Sequence, residues 1–418
     1  MNNIEQIAQI IKHNNGNIYL VGGAVRDELL GIENHDEDYC VTGISFEKFK
    51  ELFPEAICRG KAFSVFDLDG KEFALARKEE KIGIGHKEFD IISNSFITIE
   101  EDLARRDITI NAIAKEVLTG KIIDPYNGRI DLENGIIRAV TDHFKEDPLR
   151  VYRVARFTAK FQFEVETRTL DLMEALKDEL NSISVERVYT ELSKSLLTDK
   201  PSLFFDVLRK SNVLDVHFKE FEKLIGAEQP IKYHPEGDSY NHTMIVLDKV
   251  SEWTKNYTDE RKLQIRFGAL VHDIGKGETP KEEYPHHYNH EARGVDIVAS
   301  LGNKLKLPND LIKCGKTACR EHMRGGIFQR MKCSKQVEFI ERVDKSILGL
   351  DGLQLIVNAD NSNCVNFEQI GKKMLEEIDG KYVEEKYNIK PSIKFGVRLH
   401  EERVSWLKKN IKLIEERE

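Results

Sequence analysis

The sequence has few cysteines and lacks a long hydrophobic run. Its six cysteines include no C-x-x-C pair, which argues against a disulfide framework or a thiolate zinc site. No segment approaches the stretch of about 18 apolar residues that crosses a membrane. The first twenty residues lack the basic start and the cleavage site of a secretory signal. We therefore expect a cytoplasmic protein with free thiols and no membrane partner.

Positive charge is also in short supply. The 63 Lys and Arg residues are outnumbered by 72 Asp and Glu residues, for a formal net charge of −9. This balance excludes a protein coated with positive charge, so any site for nucleic acid is a local basic patch. A content of 40% hydrophobic and 32% charged residues is typical of a folded globular chain. At 418 residues, the chain is too long for one core and predicts several domains.

The pattern of apolar residues predicts an α+β protein. Helical spacing in residues 4–11 precedes a short apolar run at 18–21 that indicates a buried strand. Further short strands are predicted at 38–41, 56–58, 63–68 and 72–75, with Asp69-Gly70 as a hairpin turn. From Glu146 onward the spacing is almost entirely helical. We expect an α/β head with a small mixed sheet, then an all-α body.

A glycine pair and two aspartates follow the first predicted strand. Gly22-Gly23 precedes a helical run, so backbone N–H groups there can bind phosphate, assisted by Arg26; the alternative is a tight turn under a packed helix. Asp36 and Asp38 alternate along a strand and point to one face, about 7 Å apart. Such carboxylates bind Mg²⁺, unless they belong to a solvated acidic loop.

Four polar residues further on repeat every third position. Asp147, Arg150, Arg153 and Arg156 predict a polar stripe on a helix. A carboxylate accepts from an exocyclic amino group and an arginine donates to ring acceptors, so the pair can read a base edge. The alternative is a solvent-exposed helix with ion pairs at this spacing.

Five motifs occur in one order: LVGGAVRDELLG, DED, ARRDITINAIA, DPYNGRIDL and EDPLRVYRVARF. This order resembles that of the bacterial CCA-adding tRNA nucleotidyltransferases, in the branch shared with bacterial poly(A) polymerases, over essentially the whole chain. The resemblance implies template-independent addition of C, C and A to the 3′ end of tRNA from CTP and ATP, with Mg²⁺ and release of pyrophosphate. A poly(A) polymerase and a CC-adding or A-adding relative are the alternatives.

The same resemblance implies roles for single residues. Asp36 and Asp38 bind the catalytic metals, and Glu72 matches a third carboxylate of the family. The neighbouring charged residues Lys71 and Glu79 make the alignment of Glu72 ambiguous, and the alternative is an exposed glutamate on a strand. The residues implied to bind the nucleotide are Gly23, Arg26, Arg106, Arg153 and Arg156, with Asp147 and Arg150 as the amino-acid template for base selection. Asp107 is instead a helix-start acid or a salt-bridge partner. Residues 77–87 are expected to form a mobile loop that relatives need for switching from CTP to ATP.

A second set of residues resembles the H…HD…H…H…D order of HD-domain phosphohydrolases: His242, His272, Asp273, His290, His322 and Asp360. Imidazole and carboxylate suit a transition metal such as Ni²⁺, which activates water against a phosphate ester. His287 is undecided, and Asp344 and Asp351 compete with Asp360. Scattered surface histidines are the alternative. The resemblance implies 2′,3′-cyclic phosphodiesterase, 2′-nucleotidase and phosphatase activities.

These expectations combine into a domain plan. We predict a nucleotidyltransferase head at 1–140, a helical nucleotide-selecting and RNA-binding body at 141–225, an HD domain at 226–365 and a helical tail at 366–418. The expected partners are tRNA, ATP and CTP, with the chain acting as a monomer or a homodimer.

Overall fold

The computed structural model describes residues 3–33, 37–59, 65–81, 89–92, 96–232, 234–361 and 365–415. The chain divides into two compact units. The first comprises Met1–Glu191 with Leu203–Val216, and the second comprises Leu192–Ser202 with His217–Glu418. No helix among the described residues is both long and apolar enough to cross a membrane.

A mixed seven-stranded sheet forms the centre of the first unit, with the strand order β3-β4-β5-β2-β1-β8-β9. Only the β2–β5 pair in this sheet is parallel among the described strands. Two smaller sheets pair β6 with β7 and β10 with β11. The strands are β1 (Asn17–Val21), β2 (Asp38–Thr42), β3 (Ile57–Arg59), β4 (Val65–Leu68), β5 (Lys71–Leu75), β6 (Lys78–Lys81), β7 (Phe89–Ile92), β8 (Ala114–Glu116), β9 (Ile122–Ile123), β10 (Ile136–Ile137) and β11 (Glu164–Val165).

Helices pack on this sheet, and the part of the first unit that follows the sheet is mainly helical. Ile7 and Ile11 of the first helix and Phe49 of the third pack on Phe66 and Phe73 of the sheet. The helices are α1 (Ile4–His13), α2 (Gly23–Leu29), α3 (Phe46–Leu52), α4 (Ile99–Ala104), α5 (Gly128–Asn134), α6 (Arg150–Phe161), α7 (Thr167–Ala175), α8 (Val185–Leu196) and α9 (Ser202–Lys210). This arrangement confirms the predicted α/β head and the helical segment behind it.

The second unit is helical in its described residues. Its apolar core includes Val246, Ile265, Leu353 and Phe367, which are all fully buried. The helices that follow α9 are α10 (Leu214–Glu222), α11 (Ser239–Trp253), α12 (Asp259–Val271), α13 (His290–Lys304), α14 (Asn309–Gly326), α15 (Cys333–Asp344), α16 (Gly349–Asp360), α17 (Phe367–Glu377), α18 (Gly380–Tyr387) and α19 (Ile393–Glu415).

Two local predictions had different outcomes. Asp69 and Gly70 both adopt positive φ, at 54° and 78°, and join β4 to β5, as a two-residue hairpin turn requires. The loop expected at 77–87 is wrong for Lys78–Lys81, which forms β6 and pairs with β7. Charge did not prevent strand formation there because backbone hydrogen bonds hold the pair. Residues 82–88 lie outside the described part of the chain.

Arg266 in α12 is the largest fully buried side chain of the described residues, only 1% exposed. Its guanidinium donates to the carbonyl oxygens of Leu196, Thr198 and Ser251 at 2.7, 2.9 and 2.9 Å. It also donates to Thr254 Oγ1 at 2.9 Å. Burial lowers the pKa of Arg266 to about 10, so the group stays charged at neutral pH.

Replacing Arg266 by methionine should strongly destabilise the second unit. The variant removes a donor from three buried carbonyl groups, of which Thr198 O and Ser251 O keep a hydroxyl donor, from Ser251 Oγ and Thr254 Oγ1. The Leu196 carbonyl group loses the guanidinium donor, and a buried group left unsatisfied costs about 1–3 kcal/mol, so we expect a loss of that size. Urea unfolding followed by circular dichroism measures it. Arg398→Met is the matched control, because Arg398 is exposed and its ion pair with Glu401 lies at the surface. Equal unfolding midpoints for the two variants would contradict this role.

Candidate functional site

The turn between β1 and α2 requires glycine for two reasons. Gly22 has a φ of 70°, in the left-handed region that side chains rarely adopt. A Cβ atom there would also lie 2.7 Å from Nη1 of Arg106. Arg106 is therefore held against this turn, where it donates to the Asn111 carbonyl oxygen at 3.4 Å. The sequence assigned phosphate binding to Gly23, which is the first residue of α2.

Arg26 lies inside the first unit, only 4% exposed. Its Nε donates to Asp27 Oδ1 at 2.8 Å, and Nη1 donates to Asn111 Oδ1. Its guanidinium lies 4.8 Å from the Phe161 ring centroid and 5.5 Å from that of Phe157. Burial lowers its pKa, against the opposing effect of Asp27. Arg26 thus links α2 to α6 across an aromatic face.

Asp107 is a buried carboxylate in the same region that accepts several hydrogen bonds. It accepts hydrogen bonds from Ile108 N at 2.8 Å, Asn111 Nδ2 at 3.1 Å and Arg153 Nε at 2.7 Å. Burial alone raises the pKa of Asp107, but Arg153 and the hydrogen bonds outweigh it and hold the pKa well below its ordinary value. Of the alternatives for Asp107, the structure places it as the salt-bridge partner of Arg153.

The expected four-residue stripe is wrong at its beginning. Asp147 precedes α6 and has extended backbone angles, with φ −122° and ψ 105°. The cause is Pro148, since the ring of a proline disfavours the helical conformation in the residue before it. Asp147 Oδ1 accepts from the Leu149 amide at 3.0 Å, and its other oxygen lies 3.6 Å from Nη2 of Arg187.

The three arginines of α6 do not share one environment. Arg150 is buried and donates to the carbonyl oxygens of Arg105, at 2.5 Å, and His143. Arg156 donates to Glu191 Oε2 at 2.5 Å and stacks 4.0 Å from the Phe157 ring centroid. Arg153 and Arg156 therefore form a cationic face beside aromatic rings, whereas Arg150 connects α6 to the segment after α4.

Carboxylates converge at one edge of the sheet. Asp38 begins β2 and lies opposite Glu72 in the parallel β2–β5 pair, and Asp67 lies opposite Glu72 on its other side. Lys71, which could have occupied this register instead, pairs with Glu37. These side chains line one cavity of about 270 Å³ together with Arg59 and Gly70. The position predicted for the other metal ligand, Asp36, lies outside the described residues.

The six residues predicted for the second site lie together in the second unit. They come from α11, the end of α12, α13, α14 and the last residue of α16: His242, His272, Asp273, His290, His322 and Asp360. Asp273 is central, because its Oδ1 lies 3.3 Å from Nε2 of both His290 and His322. Its Oδ2 lies 3.3 Å from Nε2 of His272. Nε2 of His242 lies 3.0 Å from Asp360 Oδ1.

The orientation of three imidazoles suits a bound cation. Nδ1 of His272, His290 and His322 each faces a backbone carbonyl oxygen, at 2.7, 2.7 and 3.0 Å. Nδ1 therefore carries the proton, and the Nε2 of a neutral ring presents a lone pair. These lone pairs face the carboxylate of Asp273, so an added cation, a proton or a metal ion, is needed to relieve the repulsion.

Unsatisfied polar atoms support a metal fit. His272 Nε2 and both carboxylate oxygens of Asp273 are buried and form no hydrogen bond with the described residues, although Lys276 Nζ lies 2.5 Å from Oδ2. Burial raises the pKa of Asp273, but the neighbouring Lys276 lowers it, and the net result is a pKa well below its ordinary value. Two ligand groups share Asp273: one with His242, His272 and Asp360, the other with His290 and His322.

His287, which the sequence left undecided, is not oriented as a ligand. Its Nδ1 lies 3.0 Å from Thr279 Oγ1 and its Nε2 lies 2.9 Å from the Glu228 carbonyl oxygen, so both ring nitrogens are occupied. Asp351, a competitor of Asp360, instead pairs with Arg261 at 2.8 Å.

Sequence reasoning missed two residues that position the cluster. Lys276 is buried between Asp273 and Gln229, whose Oε1 accepts from Nζ at 2.6 Å. Glu236 accepts from Nδ1 of His242 at 2.6 Å. The spacing of Asp273 and Lys276, three residues apart, was a detectable signal for an ion pair. Nothing in the sequence pointed to Glu236.

Comparison with known proteins gives the family. The Poly A polymerase head domain matches residues 18–138, the probable RNA and SrmB-binding site of polymerase A matches 162–225, and the HD domain matches 239–346. A multifunctional CCA protein of Acinetobacter baylyi is 41% identical over 334 residues, covering 78% of this chain and 79% of the relative. The chain belongs to the multifunctional CCA protein family. This membership confirms the expected CCA tRNA nucleotidyltransferase with an HD domain.

Other comparisons agree with membership in the multifunctional CCA protein family. A family member from Vibrio parahaemolyticus is 43% identical over 312 residues, covering 73% of this chain and 75% of the relative. The solved complex of a CCA-adding enzyme with CTP has a TM-score of 0.63 at 22% identity, covering 95% of this chain and 87% of that one. The Thermotoga maritima CCA-adding enzyme complexed with tRNA has a TM-score of 0.63 at 21% identity, covering 96% and 89%. The solved structures share the fold.

Proposed function

We propose that this chain adds C, C and A to the 3′ end of tRNA from CTP and ATP and releases pyrophosphate. The observation that carries the proposal is the position of Asp38 beside Glu72 at the edge of the sheet, in a chain of the multifunctional CCA protein family. The tRNA 3′ oxygen forms a bond to the α-phosphorus, the bond from that phosphorus to the pyrophosphate oxygen breaks, and the hydroxyl proton leaves to solvent.

The carboxylates are suited to Mg²⁺. Asp38 and Glu72 offer hard oxygen ligands at one cavity, and Asp36 is proposed as a further ligand from its position in the motif. Mg²⁺ held there would supply positive charge that stabilises the negative charge on the attacking 3′ oxygen and on the departing pyrophosphate. Arg106, fixed against Gly22, is proposed to donate to the triphosphate together with Arg26, Gly23 and the arginines of α6.

Base selection is proposed for Asp147 and Arg150. Both are engaged in the structure, Asp147 near Arg187 and Arg150 with backbone carbonyl oxygens. A base that presents an amino group beside an acceptor can exchange for these partners, because a carboxylate accepts from the amino group and a guanidinium donates to the acceptor. Cytosine and adenine have that edge. The proposed functional segments are 1–140 for catalysis, 141–225 for selection and RNA binding, 226–365 for hydrolysis and 366–418 as a tail.

The test uses the full chain with Mg²⁺ and tRNA transcripts that end before CCA, after C or after CC. CTP and ATP are supplied singly and together, and products are resolved to one nucleotide. Addition that ends at CCA supports the proposal. Long A tails would replace it with a poly(A) polymerase, and arrest at CC would replace it with a CC-adding enzyme.

A second activity is favoured by the buried cluster around Asp273. We propose that it holds one or two transition-metal ions, such as Ni²⁺, and hydrolyses 2′,3′-cyclic phosphates, 2′-nucleotides and other phosphomonoesters. Metal held there supplies a water of lowered pKa. In the hydrolysis, a water oxygen forms a bond to phosphorus and gives up a proton, the bond from phosphorus to one ribose oxygen breaks, and that ribose oxygen takes up a proton. Chelation should abolish hydrolysis of a nucleoside 2′,3′-cyclic phosphate, and single ions should restore it; no hydrolysis with any ion overturns this activity.

A further inference from the structure

A cavity of about 640 Å³ opens onto the cluster around Asp273. Its lining includes Asp273, His290 and Asp360 of that cluster. It also includes residues that do not belong to the cluster, among them His286, Tyr288 and Met323. Such a space admits a group much larger than one phosphate, so the cavity has room for the rest of a substrate beside the reacting ester.

Tyr288 is placed to contact that larger group. Its side chain is 63% exposed and borders the cavity, so it is not part of the hydrophobic core. The tyrosine ring stacks on the His286 ring, with 5.7 Å between centroids and an interplanar angle of 30°. Met323, also exposed, adds a flexible thioether to the same cavity. A supported aromatic face of this kind stacks on a nucleobase, whatever its identity.

Two arginines border a second cavity that adjoins the first. Asn289 and Glu291 line both cavities, so the two cavities lie side by side, and together they are called the groove. Arg320 and Arg324 lie four residues apart on α14, so they share the face that borders the second cavity. Both are exposed, and Arg324 has a loose contact of 3.4 Å with Glu321. Exposed guanidinium groups on one face of a groove bind phosphodiester oxygens.

We propose that the groove binds an RNA end, with the terminal base stacked on Tyr288 and the preceding phosphates contacted by Arg320 and Arg324. This inference rests on the proposed hydrolase and adds its substrate class. Such a groove distinguishes an RNA end from a free mononucleotide, because only the RNA carries further phosphates that reach the two arginines. It also distinguishes both from an ester without a base, which makes no use of Tyr288.

The test compares two substrates that end in the same group. One is a nucleoside 2′,3′-cyclic phosphate, and the other is a four-nucleotide RNA that ends in that cyclic phosphate. In the full chain, Tyr288→Ala should raise KM about tenfold for both, since a base stack is worth that much or more, and Tyr288→Phe should restore it. The double variant Arg320→Ala/Arg324→Ala should raise KM about tenfold for the RNA alone and weaken its salt dependence.

The matched control is Lys332→Ala/Lys335→Ala, which removes the same charge from exposed positions that line neither cavity. Binding of the same RNA, 5′-labelled and measured by anisotropy, is a second readout. If the wild type hydrolyses neither ester, the proposed hydrolase fails, whereas an affinity that still depends on Tyr288 and the two arginines upholds the groove. Unchanged KM and affinity in all variants, or equal effects of the arginine variant on both substrates, would overturn it.

Discussion

Asp273→Asn should abolish hydrolysis of a nucleoside 2′,3′-cyclic phosphate while CCA addition continues at the wild-type rate. Asp273 belongs both to the ligand group with His242, His272 and Asp360 and to the group with His290 and His322, so its loss weakens both of these metal positions. A bound metal contributes several kcal/mol to such reactions, which corresponds to a drop on the order of 10³-fold. Addition is unaffected because its carboxylates belong to a different unit of the chain.

Asparagine is chosen at this position because it should preserve the fold. Its amide group donates to the Nε2 lone pairs of His290 and His322, which the carboxylate cannot do. We therefore expect a circular dichroism spectrum like that of the wild type and no increase in thermal stability on addition of Ni²⁺. Asp344→Asn, an exposed change at the end of α15, is the matched control. Metal-dependent stabilisation that persists in Asp273→Asn would contradict the shared-ligand geometry.

The order of histidines and aspartates was readable from the sequence, but the choice among neighbours was not. The motif order favoured His290 and left His287 undecided, because both carry imidazole rings three residues apart. Their hydrogen bonds separate them: both nitrogens of His287 have partners outside the cluster, whereas His290 directs Nε2 at Asp273. Such a distinction depends on chain segments distant in sequence, including Glu228, so local pattern could not supply it.

The arginines of the first unit show a second limit of prediction from sequence. Sequence periodicity predicted the helix that became α6, because apolar spacing from Val151 to Phe161 is strong. It did not predict that Arg26 and Arg150 would be buried, since arginine is rarely buried unless it is paired. Their partners are Asp27, Asn111 and backbone carbonyl groups that only the tertiary structure assembles.

Pro148 was the signal in the sequence that could have corrected the predicted start of the polar stripe. Spacing by three residues favoured a helix from Asp147 onward, yet Pro148 makes the residue before it extended. The same kind of local signal succeeded elsewhere, since Asp69-Gly70 was correctly predicted as a hairpin turn. Turn and proline chemistry is local and therefore readable, whereas the convergence of Asp38, Asp67 and Glu72 required the order of strands in the sheet.

Asp38→Asn should reduce the addition of all three nucleotides on the order of 10³-fold, while hydrolysis by the second unit remains unchanged. The substitution removes one negative charge from the cavity that Asp38 shares with Glu72, and an amide oxygen is a much weaker ligand for Mg²⁺ than a carboxylate. The strand should persist, because Asp38 is exposed and β2 is held by backbone pairing with β1 and β5.

The matched control for this variant is Asp69→Asn in the turn between β4 and β5. It makes the same change of charge on the same sheet, and asparagine readily adopts the positive φ of 54° found there. Single-turnover addition of CTP and then ATP to the three tRNA transcripts measures both variants. A uniform loss at each step in Asp38→Asn, with near-normal rates in Asp69→Asn, is expected because one metal site serves every addition. A rate for Asp38→Asn within tenfold of the wild type would exclude this carboxylate as a ligand, and a loss confined to A would move it from metal binding to base selection.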